Sequence, residues 1–480
     1  MLYPDGVGAP IPPRTTSDSS IGRFAAVLGG ALLLIWPAIY NRYPLLYPDS
    51  ITYIADGRPV ARALFLHKLS DYYGMRSLIY SLGIFPFHWG ITPWPIVALQ
   101  SLLAAYVIWL VVRSILERRT VSHYLLLTGL LSLVSSLSWY ASLILPDVLG
   151  PLLYLCIYLL VFARDTLSGL ERFSVGLIAC WATASHITHL ALAAGICLML
   201  AALRLVRTPQ MKSRTKALGE LALIVLMAAA GQLALHAYLY GKPSLNGDSP
   251  PFLAARVVAD GPGRWYLQRH CGQVHFALCD YVDDLPDNSD DFLWNRQGIW
   301  AEAVREGDER IRQEEIPFVL AVVRAYPREE LSISAANFWQ QLAAFGLWDL
   351  ERNNWVLEAF DTALPGGKSS YLGSWQFNDD LPLDFFSELQ FWTVIASLGI
   401  IGIAALTPLM RRDPSARLLG MGAIVLPTVV ANAFLTGVFS NVEERYQSRI
   451  VWLLPLLAGL LVLSWLERRR EDGRTRGNVA

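Results

Sequence analysis

Charge is scarce in this chain. Asp, Glu, Lys and Arg make up 16% of its 480 residues, against roughly 25% in soluble domains. Basic and acidic residues almost cancel, at 39 and 40, so there is no bulk attraction to nucleic acid and no such partner is expected. Nucleotide-binding loops are missing, as are zincin, Gly-x-Ser-x-Gly and Cys-x-x-Cys motifs. These absences argue against a pump driven by ATP and against a serine hydrolase. Internal repeats are also absent, and the one low-complexity stretch is the polar, Pro-rich start "MLYPDGVGAPIPPRTTSDSS". It lacks the short basic region of a cleaved signal peptide. Residues 1–20 are therefore expected to be a disordered cytoplasmic leader, and the first apolar run an uncleaved anchor.

What the chain has instead is apolar surface. It is 54% hydrophobic with a mean hydropathy of +0.38, which marks an all-α polytopic membrane protein. The 16 Trp and 20 Tyr suit long membrane–water boundaries. Apolar runs predict about ten spans, near 22–40, 95–113, 121–140, 147–163, 173–188, 190–206, 218–239, 391–410, 417–437 and 449–466. Basic residues cluster at alternate connections: Arg14 and Arg23, Arg113 to Arg119, Arg164 and Arg172, Arg204 to Lys216, Arg411 to Arg417, and Arg468 to Arg470. With ten spans they share one side, and both termini are cytoplasmic. A single crossing by residues 173–205 would scatter the clusters, so two short helices with a tip near Ser185–His189 are expected.

This map divides the chain into an N-terminal membrane module at 21–240, an extracytoplasmic domain at 241–389, C-terminal spans at 390–466 and a basic cytoplasmic tail at 467–480. The module carries an outer loop at 41–94. There Val60, Leu64, Phe65, Leu69 and Tyr72 recur at helical spacing, with Pro59 suited to a first helical position. An interfacial helix is expected there, followed by a piece at Ser77–Trp89 too short to span. Segment 241–389 reads as one small, mainly helical domain. Its expected helices are Trp300–Arg312 and Ile316–Phe345, the latter broken at Pro327 and with an apolar face through Leu331, Ala335, Phe338 and Leu342.

Cysteines number five. Cys156, Cys180 and Cys197 fall in spans and read as small apolar residues. Cys271 and Cys279 lie in the outer segment, in "HCGQVHFALCD". A disulfide, free thiols and a metal site with His270 and His275 are the alternatives, in that order. A continuous helix would hold the two about 12 Å apart and forbid the bridge.

The candidates for chemistry all fall on the expected outer side. Asp49, in "YPDSITYI", is either a helix cap or a general base; Asp56 before Gly57 reads as a turn residue. Asp147, in "LILPDVLG", is a cap, a positioner or half of a metal site. His186 and His189 in "SHITH" either snorkel, hydrogen-bond between helices, or contact a phosphate or metal. Arg445 and Arg449 in "EERYQSR" either pair with Glu443 and Glu444 or share a helical face that holds a phosphate.

Together these pieces resemble the polytopic glycosyltransferases of the GT-C fold, which include protein mannosyltransferases and the aminoarabinose transferases of lipid A. The resemblance rests on Asp49 in a long first outer loop and on "LPD" at Asp147. It also rests on the hairpin "FSVGLIACWATASHITHLALAAGICLMLAALRLV" and on "ERYQSRIVWLLPLLAGLL". It covers the topology except the outer segment. Here Asp49 is followed by Ser50, where many relatives have a second acid. The resemblance implies an inverting enzyme of the bacterial inner membrane that uses a polyprenyl-phosphate-linked sugar and transfers it to a lipid, glycan or protein. Asp49 would be the base, and Arg445, Arg449, His186 and His189 would hold the donor phosphate. Asp147 would orient the acceptor or join Asp49 in holding a divalent metal ion. A transporter or lipid flippase, and a polymerase or ligase of lipid-linked glycans, are the alternatives.

Overall fold

The computed structural model describes residues 20–70, 76–116, 120–206, 214–406 and 416–477. Every named element in them is a helix, and the one sheet-like contact is a parallel bridge between Leu45 and Leu143. The expected leader up to residue 19, Tyr72, and the basic residues Arg14, Arg118, Arg119, Arg207, Lys212, Arg411 and Arg412 lie outside the described residues.

Six helices are long and apolar enough to cross a membrane: Trp94–Ile115, Ile187–Leu205, Thr215–Tyr240, Leu383–Leu406, Ala416–Phe439 and Glu444–Arg470. They coincide with six of the ten expected spans. The other four are shorter or broken. The first is Ser20–Leu34 followed by Trp36–Tyr40. Pro37 has no N–H for the carbonyl of Leu33 four residues earlier, and the hydroxyl of Ser132 donates to that carbonyl instead. The third divides into Thr120–Val134 and Leu137–Ser142. At that break the Ser138 hydroxyl donates to the Ser132 carbonyl, and the Ser135 hydroxyl joins its own N–H on the Leu131 carbonyl. The fourth is a short turn, Pro146–Val148, running into Leu149–Phe162, and the fifth is Gly169–Ala184.

Burial grades these helices from centre to rim. Trp94–Ile115 and Glu444–Arg470 are each 67% buried, whereas Thr215–Tyr240 is 28% and Leu383–Leu406 is 17% buried. The rim helices turn Leu223, Leu226, Trp392, Ile395 and Ile403 outward, a surface that hydrocarbon accepts without cost. At one end of the bundle the described basic residues meet acids. Arg113 pairs with Glu171 at 2.7 Å, Arg164 pairs with Glu220, and Arg417 pairs with Asp165 at 2.5 Å. Helix Trp94–Ile115 has 22 residues and carries the chain about 33 Å from that end to the other.

The first-loop helix runs Pro48–Leu66. Pro48, not Pro59, occupies its start, and Pro59 lies inside it. Asp56 and Gly57 are mid-helix and buried rather than a turn. The reason is tertiary. The helix packs on Leu78–His88, and a Cβ on Gly57 would stand 2.8 Å from the backbone oxygen of Ser81. Valine at position 57 would push the two helices apart, and overpacking of this kind costs about 1–3 kcal/mol. Alanine would regain up to about 1 kcal/mol of helix propensity, so Gly57→Val is the sharper test. Its thermal unfolding in detergent is expected at a lower temperature than that of the parent.

Segment 241–389 contributes to two hydrophobic cores. Its first part builds a separate core from Val258, Leu267, Phe292, Phe318 and Val322. Cys271 and Cys279 are bridged there, with Cα atoms 5.5 Å apart. The chain allows this because helix Pro262–His270 ends before the bridge and a 3-10 turn, Ala277–Tyr281, follows. From Leu347 onward, Leu350, Val356, Phe360, Leu364 and Tyr371 join the main core. Expected helix Trp300–Arg312 is two, Ile299–Glu306 and Arg310–Gln313, parted at Gly307 with φ of 71°. The helix Pro327–Ala343 keeps half of its expected face. It packs on Ala416–Phe439 through Phe338, whose ring lies 6.3 Å from that of Phe434, and through Asn337 and Gln341, next to Gly437. Leu342 lies against the main core, whereas Leu331 is 73% exposed. Partners make the polar contact affordable: Gln341 bonds both backbone groups of Glu443, and Asn337 bonds Asp260.

Candidate functional site

The site begins with a short extended segment before helix Pro48–Leu66. Leu45 N–H donates to the Ser142 carbonyl at 2.9 Å, and Ile144 N–H donates to the Leu45 carbonyl at 3.2 Å. Gln376 accepts from Leu46 N–H at 3.0 Å and donates to the carbonyls of Leu46 and Leu350. Gln100 donates to the Leu143 carbonyl at 2.8 Å. These bonds hold the entry to the Asp49 helix beside the turn that carries Asp147.

Asp49 is the second residue of its helix, and the capping work falls to Ser50, whose hydroxyl accepts from Tyr47 N–H at 2.9 Å. The Asp49 carboxylate is thus free to turn elsewhere. Oδ1 lies 2.7 Å from Arg76 Nη2, and Oδ2 lies 3.7 Å from Arg445 Nη1. The Arg445 guanidinium sits 4.2 Å over the ring of Tyr47, a cation–π contact that fixes its plane. Its backbone N–H donates to Asp349 at 2.6 Å. Burial pushes the phenol of Tyr53 up, and the charges acting on that ring are Asp49, Arg76, Asp147 and Arg445.

Asp147 belongs to a deeper layer. Its Oδ1 lies 3.2 Å from Arg449 Nη1. Arg449 also donates to Asn432 Oδ1 at 3.3 Å and to Thr188 Oγ1 at 3.5 Å. Thr188 Oγ1 in turn lies 2.7 Å from His186 Nδ1, and the rings of His186 and His189 are 5.3 Å apart. His189 Nδ1 is 2.9 Å from the Ala182 carbonyl, so that nitrogen carries the proton and Nε2 of the neutral ring can only accept. Nε2 rests against Gly150, where a Cβ would come within 2.8 Å of it. Contact of this nitrogen with an anionic phosphate is disfavoured.

All six expected residues thus gather at one place, but exposure divides them. Side-chain exposure is 25% for Arg76, 12% for Asp49 and 11% for Arg445, against 5% for Asp147 and 2% for Arg449. The first three keep some access to solvent. The other two are a buried ion pair, so the expectation that Arg449 holds a phosphate meets a guanidinium whose two terminal nitrogens already face Asp147, Thr188 and Asn432. Arg445 and Arg449 do share a helical side, each 5.3 Å from the ring of Tyr446, and their ion pairs go to Asp49 and Asp147. A metal does not fit these residues. Among the described residues no three His, Cys, Asp or Glu side chains converge as ligands, and each carboxylate already faces an arginine.

Arg76, Tyr47 and Asn432 are participants that sequence reasoning missed. Arg76 carried a signal, being a basic residue on the expected outer side like Arg445. Arg58, Arg62 and Lys68 in the same loop diluted it.

Two carboxyls outside the spans, Glu443 beside Arg445 and Glu330 on helix Pro327–Ala343, are shifted upward. Burial, then Asp349 and Asp290, push Glu443 up to about 7 against the pull of Arg445. Burial and Asp260 push Glu330 up to about 7 against Arg256. The ordinary value is 4.5, so between about 4.5 and 7 the folded chain holds protons that the unfolded chain has lost. Stability from these groups is full below that window and is lost as pH rises through it. The unfolding temperature in detergent is expected to fall from pH 5 to pH 8, and Glu330→Gln is expected to flatten the profile.

No family model, no curated protein and no solved structure matches this chain.

Proposed function

We propose that this chain is a membrane glycosyltransferase of GT-C-like architecture, which moves a sugar from a polyprenyl-phosphate donor to an acceptor hydroxyl at the outer face of the membrane. The observation that carries this is the part-exposed Asp49 carboxylate set between Arg76 and Arg445. The finer topology belongs to the same proposal. Ten crossings, made by the six long helices and the four shorter ones, leave both ends cytoplasmic and the site outside. Its support is the meeting of the described basic clusters at the opposite end of the bundle.

The donor phosphate carries negative charge and competes with Asp49 for both guanidinia. As Arg76 and Arg445 turn to the phosphate, the Asp49 carboxylate is released to accept a proton. The acceptor oxygen attacks the anomeric carbon, its proton passes to Asp49, and the bond from that carbon to the phosphate oxygen breaks. One displacement inverts the carbon. The arginines stabilise the charge that builds on the leaving phosphate. Asp147 and Arg449 do not touch substrate. They fix helix Glu444–Val451, and with it Arg445, against the Asp49 helix. Transport is less well supported, because no two halves of the sequence repeat.

Loss of a charge-assisted contact of the Arg445 kind costs roughly 1.5–3 kcal/mol, or about 10–150-fold. Arg445→Ala is expected to raise the KM for a polyprenyl-phosphate sugar by that factor and to leave the acceptor KM nearly unchanged. Equal effects on both substrates would remove Arg445 from the phosphate site.

A further inference from the structure

A cavity of about 420 Å³ opens between the helices Ser289–Trp294 and Asn354–Ala363. Two indoles, Trp294 and Trp355, line it together with the amides of Asn295, Gln297 and Asn354. Arg296 and Glu358 complete the wall as an ion pair. No aliphatic side chain is among the described residues that line it. An acyl chain needs aliphatic contact along its length, so this lining rejects one. It suits sugar rings. The C–H faces of a pyranose lie flat on indole faces, and a primary amide offers a donor and an acceptor to neighbouring hydroxyls. Trp355 is 49% exposed, and Arg296 covers its ring at 4.8 Å. The Arg296–Glu358 pair is itself exposed. Such a pair contributes at most about 1 kcal/mol, so an incoming ring can displace it.

The position of the cleft matters as much as its lining. Helix Asn354–Ala363 packs directly on the Asp49 helix. The Arg76 guanidinium lies 5.1 Å over the ring of Trp294 and pairs with Asp49 at 2.7 Å. One arginine thus touches both the cleft and the candidate base. Asn354 also borders a second cavity of about 530 Å³, which reaches Leu381, Leu383 and Asp384 at the head of a rim span. The two cavities share Asn354 in their walls and adjoin as one groove.

We propose that this groove binds a carbohydrate chain and is the acceptor subsite, with the terminal hydroxyl of that chain reaching Asp49 past Arg76. The acceptor role rests on the glycosyl transfer proposed above, whereas carbohydrate binding by the cleft does not.

The test uses the full chain in a detergent without a sugar headgroup. Cellohexaose, maltohexaose and chitohexaose are the probes, followed by saturation-transfer NMR, and decyl phosphate reports on the arginine site. At least one hexasaccharide is expected to bind, and Trp355→Ala and Asn354→Ala are each expected to weaken it tenfold or more with decyl phosphate binding unchanged. Unchanged decyl phosphate binding also shows that these variants are folded. Failure of all three hexasaccharides to bind, or binding that neither substitution weakens, overturns the proposal. Dodecyl maltoside against maltose separates the sources: tighter binding of the alkyl glycoside at the same cleft indicates a lipid-borne chain, and equal binding a soluble one. Transfer lost in Asp49→Asn without hexasaccharide binding sinks the cleft alone. Hexasaccharide binding with transfer intact in Asp49→Asn keeps the cleft as a carbohydrate site and sinks the base.

Discussion

Asp49→Asn is expected to lower sugar transfer by about 10²–10⁴-fold, the usual contribution of a positioned general base. Asparagine keeps the size of the side chain and can still accept a bond from Arg76, but it cannot take up the acceptor proton. The pairs it loses are largely buried, with Asp49 12%, Arg76 25% and Arg445 11% exposed. The asparagine carbonyl still accepts from these guanidinia, so membrane abundance and unfolding temperature are expected to stay near those of the parent. The same residue in a purely structural role would show the opposite pattern, a lowered unfolding temperature with transfer per folded molecule preserved. Normal transfer by the variant, measured with a polyprenyl-phosphate sugar in isolated membranes, would remove Asp49 from the chemistry.

Arg449→Met is expected to act on the fold rather than on donor use. It strands Asp147, which is 4% exposed and has Arg449 as its ion-pair partner at 3.2 Å. Removing one member of a buried pair costs about 3–5 kcal/mol, because the other charge stays desolvated and unpaired. The hydroxyl of Thr188 and the amide of Asn432 also lose a donor. Replacing both partners, as Arg449→Met with Asp147→Leu, is expected to recover much of the loss, since apolar pairs often substitute for buried ion pairs at little cost. Thermal unfolding of the two single variants and the double variant measures the coupling directly. If Arg449→Met unfolds normally and instead raises the donor KM, Arg449 returns to the phosphate site and the inner pair is not structural.

The gathering of the site was legible to an unequal degree. Asp49 and Arg445 stand out because a charged residue beside an apolar run needs a reason, and that logic survives without coordinates. Helix Pro48–Leu66 was misplaced because Pro59 reads as a start signal, whereas packing through Gly57 carries the helix straight through it. Helix Pro327–Ala343 was half legible for a different reason. Phe338 and Leu342 face the protein as expected, but so do Asn337 and Gln341, whose partners Asp260 and Glu443 are distant in sequence. The spacing of apolar residues does not register such polar contacts. The split of segment 241–389 was hidden because composition does not reveal which of two cores a buried phenylalanine joins, as with Phe318 and Phe360.

The bonds of Gln376 to Leu46, 330 positions earlier, have a consequence for how the protein is made. Asp49 is synthesised early, and its surroundings are finished by Gln376 and then by Arg445, close to four hundred residues later. At roughly 5–20 residues per second, Asp49 waits tens of seconds in a half-built site. During that time the Asp49 carboxylate has Arg76 but not Arg445, and Leu46 lacks Gln376. A chain stopped before the last span therefore holds only half of the charged cluster, and completion of synthesis closes it.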